Sequence, residues 1–500
     1  MGKNHVQEFQ DLLQKISDYD SAIALLSWDS RTKLPKKGVE GRAQVLSTLA
    51  GERFRLLLGA PMQSLMETLA ARASSLDEVT RRSFLRTQKQ LERIERIPLA
   101  RLEAFARLTS KAEAVWVDAR EANDFASFAP YLTEIVEMKR EFIQYRDWKG
   151  QAYDALLDEY EPDLTMATVD PLFAKLREET LRLLDKIREA KQPDTSILER
   201  FYDPQKQRVF SLAILEKIGY DLQAGRLDET AHPFQTTISL GDARVTTRYL
   251  PYFFNAAIFG TIHEGGHALY EQGVDPALFG TPLFGGTSMG IHESQSRFWE
   301  NILGRSMPFW ERFYGDLQVV FPDALGDTSR DAFYAAINAV KPSLIRVEAD
   351  ELTYNLHIMV RYEIEKALIS GDARVTDLPE LWRSRMKEYV GVVPDTDADG
   401  VLQDVHWSGG DFGYFPSYAL GNLYSAQFAE KLEEEMPNLW DDVRRGELMP
   451  IREWFRERIH RFGGMREPSE LVLEITGQPL QADALIRYFE KKYVPLYGLS

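Results

Sequence analysis

The segment Ile262-His263-Glu264-Gly265-Gly266-His267-Ala268-Leu269-Tyr270 constrains this chain more than any other. Its two histidines are four residues apart. On a helix that spacing puts both imidazoles on one face, within reach of a single metal ion. Glu264 stands one step round the helix, where a carboxylate meets a metal-bound water. The flanks predict a helix that starts at Pro251 and takes Gly273 as its C-cap. Between them Phe253, Phe254, Ala256, Ala257, Ile258, Phe259, Ile262 and Leu269 make the helix apolar nearly all round, which predicts burial. Two histidines and a glutamate buried there need partners, and a metal supplies them. Gly265 and Gly266 each cost about 1 kcal/mol relative to alanine in a helix interior. Their return is that small residues let another backbone approach.

Zinc needs a third protein ligand and keeps a fourth position for water. Ile291-His292-Glu293-Ser294-Gln295-Ser296-Arg297 follows, after the Gly-rich stretch from Thr281 to Gly290. Glu293 is the chosen ligand, with His292 and Glu300 as competitors. Glu300 has a second reading, as a partner of a ligand histidine. Such a centre activates water, and Glu264 takes the proton and passes it to a leaving amine. That is the equipment of a zinc peptidase.

The rest of the chain predicts a mainly α architecture. Phe9, Leu12, Leu13 and Ile16 repeat with helical spacing, as do Phe173, Leu176, Leu183 and Ile187. Leu91, Ile94 and Ile97 mark a charged helix that Pro98 interrupts. Helical periodicity dominates to about residue 230, with metal and substrate motifs from about 231 to 421. No Ser/Gly-rich linker occurs, so residues 1–500 read as a single catalytic unit. The exception is Gln235 to Leu240 and Ala243 to Tyr249, rich in Thr, Ile and Val around Gly241-Asp242. This reads as a β-hairpin whose strand is suited to pairing with a peptide backbone. The hexapeptide Gly241–Thr246 recurs at Gly371–Thr376. The second copy lies between helical runs and reads as a surface turn.

Lys and Arg total 60 against 77 Asp and Glu, a net charge of −17, so no basic surplus is present for nucleic acid. The absence of cysteine excludes disulfides and thiolate metal sites. No stretch of about 18 apolar residues predicts a membrane span. Met1-Gly2 precedes Val6 where a myristoylation signal wants Ser or Thr, and no apolar leader follows. The expectation is a cytoplasmic protein.

Six blocks stand in order between residues 232 and 407: His232-Pro233-Phe234, Asp242-x-Arg244-x-Thr246, H-E-x-x-H, His292-Glu293-Ser294-Gln295, Ile345-Arg346-x-x-Ala349-Asp350, and Gly400-x-x-Gln403-Asp404-x-His406-Trp407. Together they resemble the M32 family of metallocarboxypeptidases, the thermostable carboxypeptidase Taq-like group. Trp28-Asp29-x-x-Thr32 and Tyr153–Asp158 extend the likeness to the amino-terminal half. Asp163 and Leu164 stand where the family usually has Gly and Met, and Leu34 where it has Met. The resemblance implies a saddle-shaped, neurolysin-like helical fold with a deep groove and a small sheet at the active site. It implies zinc, with cobalt as a substitute, held by His263, His267 and Glu293, and Glu264 as general base. It implies a homodimer that removes single residues from peptides with a free carboxyl terminus.

An exopeptidase must hold that carboxylate, and an arginine fork does so best. Arg346 is the favoured anchor. Arg244 is expected to pair with Asp242 or a substrate carbonyl. His406 and His232 are candidate donors to substrate or oxyanion, Asp404 a partner for a histidine, and Trp407 a groove wall. Tyr418, with Tyr414 in reserve, is the candidate hydroxyl against the tetrahedral intermediate. Two rivals remain: an oligopeptidase or dipeptidyl carboxypeptidase of the same fold, and a metal-free peptide-binding scaffold.

Overall fold

The computed structural model describes residues 4–499, so the Met1-Gly2 start lies outside the described residues. The chain is 70% helical with one small sheet, the mainly α class expected. It divides into two compact units where the sequence reads as one. The first gathers residues up to Arg93, Asp194–Ile337 and Phe428–Pro479; the second gathers Ile94–Pro193, Asn338–Gln427 and residues from Leu480 onward.

The first unit opens with the helix His5–Thr32, whose first turn is capped by the Asn4 side chain accepting from the Gln7 amide. Phe9, Leu13 and Ile16 are buried as the periodicity requires, while Leu12 is half-buried. The sheet has the order β1 (Leu227–Glu229), β3 (Asp242–Thr247), β2 (Gln235–Ser239). β2 and β3 form the expected antiparallel hairpin, with Gln235 opposite Val245 and Thr236 opposite Arg244. The turn falls on Leu240-Gly241 rather than Gly241-Asp242, with Gly241 at φ +75°. β1 pairs with β3 in parallel, leaving β2 at an edge of the sheet.

The motif helix runs Phe254–Gly273 and lies against β3, against the helix Pro204–Ile218 and against the helix Met289–Arg297. It starts three residues after Pro251, whose carbonyl accepts from the Tyr202 amide. Gly273 is its last residue, not a left-handed cap. A Cβ there would come within 2.6 Å of His460, so close packing demands the glycine.

In the second unit the helix Met166–Glu189 buries Phe173, Leu176, Leu183 and Ile187. The helix Glu351–Ser370 ends on Gly371 at φ +93°, and the second hexapeptide copy is the predicted turn into Leu378–Tyr389. Asp163 sits at φ +66°, a left-handed conformation that glycine adopts most readily. Its amide donates to Asp158 Oδ1 at 2.9 Å. Among the described residues no helix is long and apolar enough to cross a membrane.

Candidate active site

The two glycines of the motif set the distance between helices. A Cβ on Gly266 would lie 2.7 Å from the Gln295 carbonyl oxygen and from Ser296 Cα. The motif helix and the helix Met289–Arg297 therefore touch at backbone level. That contact brings His263, His267 and Glu293 together, each offering a ligand atom within 4.8 Å of the others. Nε2 of His263 lies 3.7 Å, and Nε2 of His267 3.3 Å, from Glu293 Oε2. The other carboxylate oxygen of Glu293 accepts from Arg297 Nε at 2.6 Å. Burial disfavours the Glu293 charge, but Arg297 and the two histidines hold its carboxyl well below the usual range. Two imidazole nitrogens and one carboxylate oxygen form a donor set that suits zinc.

The outward nitrogens are engaged too. His263 Nδ1 meets Glu300 Oε2 at 2.8 Å, so Glu300 pairs with a histidine of the converging set and is not itself one of its three members. Arg305 Nη2 donates to the other oxygen of Glu300 at 3.2 Å. His267 Nδ1 meets Nδ1 of His292 at 2.6 Å, and His292 Nε2 meets Glu271 Oε1 at 2.9 Å. Glu264 is buried between the histidines in sequence. Burial pushes its carboxyl up to about 7, and Glu293 and Glu300 add to the rise. On the hairpin, Arg244 donates twice to Asp242 at 2.7 Å and lies 4.4 Å over the Trp28 ring. His232 is exposed, just ahead of β2.

The remaining candidates lie in the second unit. Arg346 donates through Nε and Nη2 to Asp404 Oδ1, at 3.0 and 2.7 Å, and through Nη1 to the Tyr354 hydroxyl. Arg361, fully buried, donates to Asp404 Oδ2, the His357 carbonyl and Gln403 Oε1. One carboxylate thus lies between two buried guanidiniums. His406 Nε2 is 3.2 Å from the Tyr418 hydroxyl, and Arg346 lies 4.9 Å over the Tyr418 ring. Burial lowers the His406 pKa to about 4, so the ring is neutral at pH 7. Trp407 is buried, and its Nε1 donates to Glu365 Oε1 at 2.7 Å.

Glu271, Arg361 and Glu365 lie outside the six motif blocks. Arg361 had a signal, being the one charge in the apolar run Leu356–Tyr362. Glu271 had a weaker one, an acid one turn beyond His267 on a buried helix.

The family model for Carboxypeptidase Taq (M32) metallopeptidase matches residues 8–493. Carboxypeptidase 1 of Bacillus subtilis is 47% identical over 494 residues, 99% of either chain. Thermostable carboxypeptidase 1 of Thermus thermophilus is 45% identical over 98% of this chain and 99% of its own. The crystal structure of an M32 carboxypeptidase from Deinococcus radiodurans superposes with a TM-score of 0.97 at 37% identity, covering 99% of this chain and all of that one. A Pyrococcus furiosus carboxypeptidase gives 0.94 at 35%, covering 99% of each. With the six motif blocks and the converging ligand atoms, these matches place the chain in the M32 family of metallocarboxypeptidases.

Proposed function

We propose that this metallocarboxypeptidase is a zinc enzyme that removes single residues from the carboxyl end of peptides, with Glu264 as general base. The observation that carries the reading is the convergence of His263 Nε2, His267 Nε2 and Glu293 Oε2, with the buried Glu264 next to His263 in the chain. Zinc, when bound there, acidifies a water and polarises a peptide carbonyl. Glu264 is placed to take the proton of that water and give it to the departing amine. Arg297 fixes the Glu293 carboxylate, and Glu300 holds the His263 ring.

Arg346 is the proposed anchor for the terminal carboxylate. Three of its five N–H donors are taken by Asp404 and Tyr354, leaving one on each terminal nitrogen. Asp404 also balances Arg361, so the cluster carries a surplus positive charge that a carboxylate would neutralise. Tyr418 and the neutral His406 are the proposed donors to the oxyanion, with Trp407 as a wall fixed by Glu365. Asp242, Arg244 and His232 are proposed to contact substrate from the hairpin side. A cytoplasmic homodimer belongs to the same proposal, and cobalt is the expected substitute metal.

Peptide ladders read by mass spectrometry test the reading. Single-residue steps that vanish with a chelator, return with zinc, and fail on carboxyl-amidated peptides are expected. Steps of two residues would favour the dipeptidyl alternative. Cleavage of the amidated peptide at the normal rate would remove Arg346 from its role.

A further inference from the structure

Only one arrangement of protons allows His267 to serve as a ligand. Its Nε2 faces Glu293 Oε2 at 3.3 Å, so the lone pair must lie there and the proton on Nδ1. That Nδ1–H then donates to Nδ1 of His292 at 2.6 Å. His292 accepts on Nδ1, so its own proton is on Nε2 and is donated to Glu271 Oε1 at 2.9 Å. The relay ends on a buried carboxylate that is itself held on three sides. Glu271 Oε1 also accepts from the Gly286 amide at 2.9 Å, and Oε2 from the Thr237 hydroxyl at 2.9 Å. The His292 ring lies between His267 and Tyr270, with centroids 4.6 and 5.3 Å away. His263 reaches its carboxylate, Glu300, directly; His267 reaches one through a second imidazole.

We propose that Glu271 is a positioning residue of the metal centre: through His292 it fixes the tautomer and ring orientation of His267, and through Thr237 it ties that ligand to strand β2. The proposal rests on the reading of His263, His267 and Glu293 as the ligands. Removing such an outer partner typically lowers metal affinity 10–100-fold.

The test is zinc affinity of the full chain, measured by competition with a chromogenic chelator. Glu271→Gln keeps a carbonyl to accept from His292 and removes the charge; about a tenfold loss is expected. His292→Phe keeps the ring stack and removes the acceptor, with a loss nearer 100-fold expected. If His292→Phe fails to fold by thermal melting of the metal-free protein, the near-isosteric Glu271→Gln carries the test. In the cobalt-loaded protein the exchangeable Nδ1–H signal of His267 is expected to broaden in His292→Phe, while that of His263 stays. Wild-type zinc affinity in both variants, with His263→Ala having lost the metal, overturns the proposal. Wild-type affinity in His263→Ala would overturn the ligand assignment instead.

Discussion

Glu264 and His263 are neighbours on one turn, yet their replacement should have separable consequences. His263 contributes an Nε2 to the converging set, so His263→Ala is expected to lose the metal and, with it, activity. Glu264 contributes no atom to that set. Glu264→Gln keeps the volume and removes the proton acceptor, so turnover should fall about 10²–10⁴-fold. Metal content by elemental analysis should match the wild type; a variant that keeps near-normal kcat would remove Glu264 as base. Arg346→Lys tests the anchor in the same manner. Lysine keeps the charge but loses the two-pronged geometry and the tie to Asp404. KM for free-carboxyl peptides should rise about tenfold or more while metal content stays unchanged, as steady-state kinetics and elemental analysis would show. At this scale the sequence was most legible where chemistry is local: His263, Glu264 and His267 lie within five consecutive residues. Glu271 escaped because its partners, Thr237, Gly286 and His292, are 15 to 34 positions away and become neighbours only on folding.

The spacing between the motif helix and the helix Met289–Arg297 decides whether Glu293 reaches the histidines. Gly266 sets that spacing against backbone atoms, at 2.7 Å from a virtual Cβ, and backbone cannot move aside alone. Gly265 faces only the methyl ends of Leu215 and Ile218, at 2.8 and 2.9 Å, which can rotate. Alanine removes about 1 kcal/mol of helix penalty at either site. Overpacking adds about 1–3 kcal/mol, most of it at Gly266. Gly266→Ala should therefore lower stability and weaken metal binding together, whereas Gly265→Ala should be near neutral in both. Chemical denaturation and chelator competition would show it, and equal effects at the two sites would rule the account out. The hairpin and the motif helix were legible because turn residues and apolar periodicity are short-range signals. β1 was not: three residues cannot show an alternation, and its parallel pairing with β3 is a tertiary event. Gly273 carried the right signal for the wrong reason, since His460, which excludes a Cβ there, lies far along the chain.

On the scale of the whole molecule, each compact unit is assembled from three separated stretches, so no linker marks a boundary in the sequence. Folding stability is the property that all of them share, and one buried acid gives it a definite pH dependence. Glu365 is completely buried and accepts from the Tyr153 hydroxyl at 2.5 Å, from Trp407 Nε1 at 2.7 Å and from the Gly413 amide at 2.8 Å. Those donors and the nearby Lys139 favour the charged form, but burial outweighs them and raises the carboxyl from 4.5 to about 7. The folded chain then holds this proton more tightly than the unfolded chain. Its contribution to stability is fully present below pH 4.5, declines as pH rises toward 7, and is gone above it. Over that window the loss amounts to about 3 kcal/mol. Glu365→Gln has no such proton to release, so its stability should lack this part of the pH slope. The melting temperature of the variant minus that of the wild type is expected to climb steadily from pH 5 to pH 7 and then level off. A difference that stays constant across that range would mean that Glu365 is already ionised in the folded protein at pH 5, with its three donors outweighing burial.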